Sequence, residues 1–180
     1  LTGVSLGARF RLTSVSSPGP TGFSGVGEVE DYVLTLLSPT TDFGDWSGAA
    51  SASNGVSTQL FLGESVDAEF AETTNAGATG DDITGSDDED GLVVPSVTAG
   101  QAINFPVVVT NNTGAPAYLN AWIDYNNDGS LASGGENVVT NMLVNSGQTR
   151  VTLSPLVLIP PSVVTGVNLG VRLRLTTAAS

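Results

Sequence analysis

Leu1–Ser16 reads LTGVSLGARFRLTSVS, and Val164–Ala179 reads VTGVNLGVRLRLTTAA. Thr2 aligns with Thr165, Gly7 with Gly170, Arg9 with Arg172 and Arg11 with Arg174, at a constant offset of 163 residues. Alternation alone would repeat the apolar positions; it would not repeat the TGV, LG and RxRLT groups in register. Within each copy the period is two. Val4, Leu6, Ala8, Phe10 and Leu12 face one way and Ser5, Arg9, Arg11 and Thr13 the other. Val167, Leu169, Val171, Leu173 and Leu175 do the same against Asn168, Arg172, Arg174 and Thr176. Both segments therefore predict strands with one buried face.

Similar alternation runs through Ile103, Phe105, Val107 and Val109 and through Leu119, Ala121 and Ile123. Short β-branched runs lie at Tyr32–Leu37, Gln59–Leu62, Leu92–Val97 and Val138–Val144, and Val151 and Leu153 open a further strand. Turn pairs separate them at Asn54-Gly55, Asp90-Gly91, Thr113-Gly114, Asp128-Gly129 and Ser146-Gly147. No segment sustains a helical period. The predicted fold is all-β, a two-sheet β-sandwich of Ig-like or jelly-roll-like kind with long acidic loops. Residues 63–91 lack alternation and form a predicted long irregular loop.

The duplication also divides the chain. The first copy continues through Ser17-Pro18-Gly19-Pro20 into Gly27-Glu28-Val29-Glu30-Asp31-Tyr32. Residues 1–37 read as the C-terminal hairpin of a preceding repeat, or as donor strands for a neighbouring copy. Residues 38–180 read as the next sandwich without its own last hairpin. The expected partners are other copies of the chain, in a tandem array or a head-to-tail filament.

The 180 residues carry five Lys+Arg against 18 Asp+Glu, a formal charge of -13, and no His or Cys. All five cations are Arg. A Ser-His-Asp triad, a cysteine nucleophile, a lysine Schiff base and a His/Cys zinc site cannot be assembled from this alphabet. Nucleic acid is an unfavoured partner without clustered cations. No apolar run reaches the ~20 residues of a membrane helix, so no membrane insertion is expected. The expected class is non-enzymatic. A glycosidase built on paired carboxylates would need an aromatic platform beside them, and none is evident.

Between Arg11 and Arg150 every charge is negative. Glu64, Asp67, Glu69, Glu72, Asp81, Asp82, Asp87, Asp88, Glu89 and Asp90 place ten carboxylates in 27 residues. Held together they would repel, and a hard divalent cation, Ca²⁺ above all, relieves that repulsion. A solvated, unliganded acidic loop would have the same composition; the interspersed glycines and adjoining strand starts favour metal. Asp124, Asn126 and Asp128 form a sharper pattern. They put oxygens at positions 1, 3 and 5 of a calcium loop, Gly129 supplies the tight turn at 6, and Ser130 offers its carbonyl at 7. Glu136 falls at position 13 rather than 12, and the loop leaves a strand, so it is a β-anchored loop and not an EF-hand. An ordinary Asp-Gly hairpin turn is the plainer alternative.

Taken together the motifs resemble the GEVED family of bacterial extracellular domains, named for the box spelled here by Gly27-Glu28-Val29-Glu30-Asp31. The matching positions continue with Asp42-Phe43-Gly44-Asp45, Leu62-Gly63, Asp67-Ala68-Glu69, Gly80-Asp81-Asp82, Asp87–Gly91, Ala121–Gly129, Gly135-Glu136 and the RxR strand. The resemblance implies a β-rich repeat of secreted or cell-surface proteins, and adds Asp42 and Asp45 to the candidate calcium ligands. The Tyr and His that usually follow the DFGD box are absent, and Trp46–Gln59 is short. In the GEVED box, Glu28 and Glu30 are expected to pair across strands with Arg9 and Arg11, with calcium ligation by Glu28, Glu30 or Asp31 as the alternative. Arg172 and Arg174 would then seek Glu28 and Glu30 of a neighbouring copy. The expected role is a calcium-stiffened structural or adhesive repeat at the cell surface. A carbohydrate-binding module, with Trp46 stacking a sugar, is the alternative. Asn111-Asn112-Thr113 also fits an N-glycan acceptor pattern.

Overall fold

The structure is a computed structural model and describes residues 4–16, 19–80 and 88–180. Among them lie twelve strands and no helix, so the chain is all-β. Backbone contacts divide it into Leu1–Pro39 and Thr40–Ser180.

The first unit is one antiparallel hairpin. Strand β1 (Val4–Thr13) pairs with β2 (Gly27–Leu36), with Val4 opposite Leu36 and Thr13 opposite Gly27. Arg11 organises the connection by donating to the carbonyls of Gly19 (2.5 Å), Thr21 (3.1 Å) and Gly22 (2.7 Å) and to Ser24 Oγ (2.6 Å). Phe10 and Tyr32 meet edge to face. Otherwise the apolar side chains stand in the open: Phe10 is 64% and Val33 74% exposed.

The expected Arg–Glu pairing inside this hairpin is corrected by its register. Directly opposed residues share a face, and Arg9 lies opposite Asp31 and Arg11 opposite Val29. Glu28 and Glu30 lie opposite Leu12 and Phe10, on the other face. Arg9 accordingly grips Asp31 with both ends of its fork, Nε to Oδ1 at 2.6 Å and Nη2 to Oδ2 at 2.7 Å. That bond holds the Asp31 carboxyl below its usual range. Glu30 accepts instead from the Tyr32 hydroxyl at 2.5 Å.

The second unit contains β3 (Thr41–Phe43), β4 (Ser53–Gly55), β5 (Leu60–Leu62), β6 (Ala102–Ile103), β7 (Pro106–Asn111), β8 (Ala117–Ile123), β9 (Asn137–Val144), β10 (Arg150–Thr152), β11 (Val157–Leu158) and β12 (Val171–Thr176). Two three-stranded sheets, β10-β7-β5 and β12-β8-β9, supply the sandwich; β11-β6 and β3-β4 are two-stranded additions. Alternation decides the inner faces. Val107 and Val109 of β7 meet Ala117, Leu119 and Ala121 of β8, Val139 and Val144 of β9, and Leu175 of β12 in one buried cluster. Each fully buried Leu or Ile there contributes roughly 1.5–3 kcal/mol.

Two local readings change. Leu92–Val97 is no strand: Leu92 makes a single bridge to Val107, and Val93 and Val94 are exposed. Pro95 brings no N–H for a ladder. Asn111 is fully buried, so it is closed to an N-glycan. It holds the β7–β8 turn, its amide donating to Ala115 O (3.0 Å) and Val144 O (2.8 Å) while Thr113 N donates to its oxygen (3.2 Å).

Candidate metal centre

Antiparallel β8 and β9 bring their loop-side ends together, and the loop between them carries the acids. Trp122 pairs with Asn137, so Asp124 and Glu136 stand just beyond adjoining strand ends. Ile123 N donates to Glu136 O (2.9 Å) and Asp124 N to Gly170 O (2.9 Å), which fixes both backbones. Asp124 is fully buried and Glu136 is 2% exposed. The loop curls over them because Asn127 and Gly129 adopt positive φ (56° and 75°). A side chain at Gly129 would meet Gly48 O at 2.9 Å, so the tight turn and close packing both ask for glycine.

Asp124, Asp128 and Glu136 each place a carboxylate oxygen within 4.8 Å of the others. Backbone N–H groups orient them. Asp128 N (3.2 Å) and Gly129 N (3.1 Å) donate to Asp124, Ser130 N to Asp128 Oδ1 (2.8 Å), and Ser133 N to Glu136 Oε2 (3.1 Å). Glu136 Oε1 is buried with no hydrogen-bond partner. Burial, and then the charges of Asp124 and Asp128, push the Glu136 carboxyl above its usual range. A buried anion facing two more carboxylates is what a divalent cation with oxygen preference neutralises. The triad could hold such an ion.

Asn126 lies in the same loop and is tied to Asp128, accepting from its N–H (2.9 Å) and donating to Oδ2 (3.0 Å). Ser130 Oγ accepts from Ala132 N. Sequence reasoning passed over Ser133, whose N–H serves Glu136 and whose hydroxyl donates to Asp128 Oδ2 (3.0 Å). Position 10 of a calcium loop has no assigned ligand in the pattern, so no signal marked it.

The acidic-loop residues separate into two kinds. Asp45, 3% exposed, accepts Gly80 N at 2.7 Å, and Asp90 accepts Glu64 N at 3.1 and 2.9 Å; both close loops. Asp42, Asp67, Glu69 and Asp88 crowd one another. Glu69 Oε2 accepts from Phe43 N (2.9 Å) and Asp88 Oδ2 from Asp67 N (3.0 Å), while Glu69 Oε1 and Asp67 Oδ1 are buried without partners. Burial, and then the nearby carboxylates of Asp67 and Asp42, push Glu69 up to about 7. Burial, with Asp67 and Asp90 nearby, raises Asp88. Glu89 is exposed beside them. Asp81, Asp82 and Asp87 lie outside the described residues.

Arg172 and Arg174 point from β12 at the β3–β4 hairpin. Arg172 Nη1 donates to Ala50 O (2.7 Å), and Arg174 Nη2 to Ser53 O (3.1 Å) and Asn54 Oδ1 (2.9 Å). Burial, then neighbouring Arg174, lowers the pKa of Arg172. The Trp46 ring is packed on Gly170 and Gly48, where an added Cβ would lie 2.0 and 2.2 Å from it.

Residues 118–180 match the GEVED domain family. The matched span runs from β8 through Asp124, Asp128 and Glu136 to β12, and supports the resemblance read from the motifs; it does not include the Gly27–Asp31 box. No curated protein and no solved structure matches the chain.

Proposed function

We propose that this chain is a non-enzymatic structural and adhesive repeat of a bacterial extracellular filament or adhesin stalk, stiffened by calcium and joined to other copies by strand complementation. The observation that carries the reading is the buried, unpartnered Glu136 oxygen facing Asp124 and Asp128. An ion there would tie the end of β8 to the start of β9 and turn a repulsive loop into a brace. Hard oxygen donors favour calcium over softer metals. The apolar hairpin of the first unit, with no core of its own, supports association with other copies.

Thermal unfolding in calcium and in EDTA, together with sedimentation over a range of concentrations, tests this. Calcium should raise Tm and the chain should associate. An EDTA-insensitive Tm removes the ion, and a monomer at every concentration removes the assembly.

A further inference from the structure

The strand duplicated at the two ends of the sequence has different neighbours in the two units. As β1 it pairs with β2; as β12 it pairs with β8 and, among the described residues, forms the edge of its sheet. In an antiparallel ladder a residue points both its N–H and C=O to one side, and successive residues alternate. Ser14 N donates to Val26 O, so the even-numbered residues of β1 face β2. Asp124 N donates to Gly170 O, so Gly170, Arg172 and Arg174 face β8, and Val171, Leu173 and Leu175 face away. Shifted by 163, the β1 residues that hold β2 become those same outward-facing positions. The edge that β1 fills with β2 is therefore the edge that β12 leaves open.

Two further observations mark this edge. A cavity of about 620 Å³ follows β12, flanked by β5 and by the β3–β4 hairpin. Arg9 has a bidentate carboxylate partner in Asp31, whereas Nη2 of its counterpart Arg172 is buried with no acceptor.

We propose that the open edge of β12 accepts the Gly27–Leu36 strand of a second copy, antiparallel, with Asp31 opposite Arg172. The register follows from the hairpin: Tyr32 lies opposite Val171, Glu30 opposite Leu173, Val29 opposite Arg174 and Glu28 opposite Leu175. Glu72 and Asp45 act on Arg172 through charge alone; Asp31 brings its Nη2 a hydrogen-bonded carboxylate, in the fork geometry already seen at Arg9. Because β2 uses the same backbone groups for β1 and for β12, donation replaces its pairing with β1. A two-stranded hairpin with no core is marginal in water and gives up that pairing at small cost. The inference rests on the proposed assembly by strand complementation and names its acceptor.

The test uses the full chain in calcium and a capped synthetic peptide of residues 27–36, followed by calorimetry and sedimentation. One peptide should bind per chain and dissolve self-association. N-methylation at Glu30, whose N–H would enter the ladder, should weaken binding by about tenfold or more, and N-methylation at Asp31, whose N–H faces away, should change it less than about twofold. Asp31→Asn in the peptide should weaken binding to the wild-type chain and make no difference to Arg172→Gln. No saturable binding, or the reverse N-methylation pattern, overturns the acceptor edge. Self-association that persists under saturating peptide also overturns it, and leaves strand complementation standing through another surface. A chain that takes the peptide in this register yet stays monomeric overturns the second copy as donor. Chains that neither associate nor bind peptide remove the proposed assembly as well.

Discussion

Glu136→Gln should move stability in opposite directions with and without calcium. Glu136 Oε2 accepts the Ser133 N–H, and Oε1 is buried without a partner beside Asp124 and Asp128. Glutamine keeps the acceptor, removes the charge and puts an amide donor where the lone oxygen stood. Relieving a buried, unsatisfied charged group is worth about 2 kcal/mol. The second unit has about 140 residues, so its unfolding entropy makes 1 kcal/mol worth roughly 3 °C, and Tm in EDTA should rise by about 7 °C. In calcium at a hundred times Kd, the wild-type chain gains about 2.7 kcal/mol by linkage, or about 9 °C. If the lost carboxylate weakens the ion roughly a hundredfold, the variant gains about 0.4 kcal/mol, near 1 °C. The two melting curves should therefore exchange order between EDTA and calcium by differential scanning calorimetry. A variant that is less stable by the same amount in both buffers would refute the argument and make Glu136 a structural acceptor only.

Glu69 sets a pH dependence. Its folded pKa of about 7 lies above the ordinary carboxyl value of 4.5, so the folded state holds a proton that the unfolded state has released. Its contribution is complete below about 4.5 and is lost as pH rises through about 7. Without metal, Tm should fall across that window, and Glu69→Gln should flatten the slope. Gly129→Ala forces an alanine to positive φ against Gly48 O; a loss of about 1–2 kcal/mol, roughly 3–7 °C, is expected in EDTA and calcium alike. Asn111→Ala takes the amide donor from the Val144 carbonyl and the acceptor from Thr113 N–H, while Ala115 O keeps the Thr113 hydroxyl; about 2 kcal/mol, roughly 7 °C, should be lost with no change in calcium binding.

The strands were legible where one face is buried over several residues. β7, β8 and β12 follow their sequence alternation because Val107, Val109, Leu119, Ala121 and Leu175 have one shared core to enter. The pairs β6–β11 and β3–β4 were not legible. Their strands are two or three residues long and exist through partners such as Val157 opposite Ile103 and Asp42 opposite Asn54. That Asp124, Asp128 and Glu136 come together was legible because their spacing encodes a loop, and the strand before it fixes where that loop leaves. Counting carboxylates in the acidic stretch could not separate Glu69 from Asp90. Both are acids of the same segment, and only the fold decides that Asp90 spends its oxygens on the Glu64 N–H while Glu69 keeps one unused. The hairpin partner of Arg9 was missed for a related reason. In a period-two structure, a change of one residue in pairing moves a side chain to the opposite face, and Glu30 and Asp31 are neighbours in sequence.

The metal centre and the open edge share one anchor, and this links the two proposals. Asp124 N donates to Gly170 O at the residue before β12 begins. Asp124 is thus the first residue of the proposed ion-binding loop and the anchor for the start of the strand that would receive β2. An ion that orders the loop also orders the start of β12, so the cost of straightening that edge falls before the incoming strand arrives. Coupling of this kind is reciprocal: if calcium tightens uptake of the residue 27–36 peptide by some factor, saturating peptide must tighten calcium by the same factor. A coupling of about 1 kcal/mol is roughly fivefold in each titration. Calorimetry of each ligand with and without the other measures both factors. Equal factors above one fit a shared anchor at Gly170, and peptide affinity that is the same in calcium and in EDTA refutes it, leaving the ion a brace of the β8–β9 loop alone.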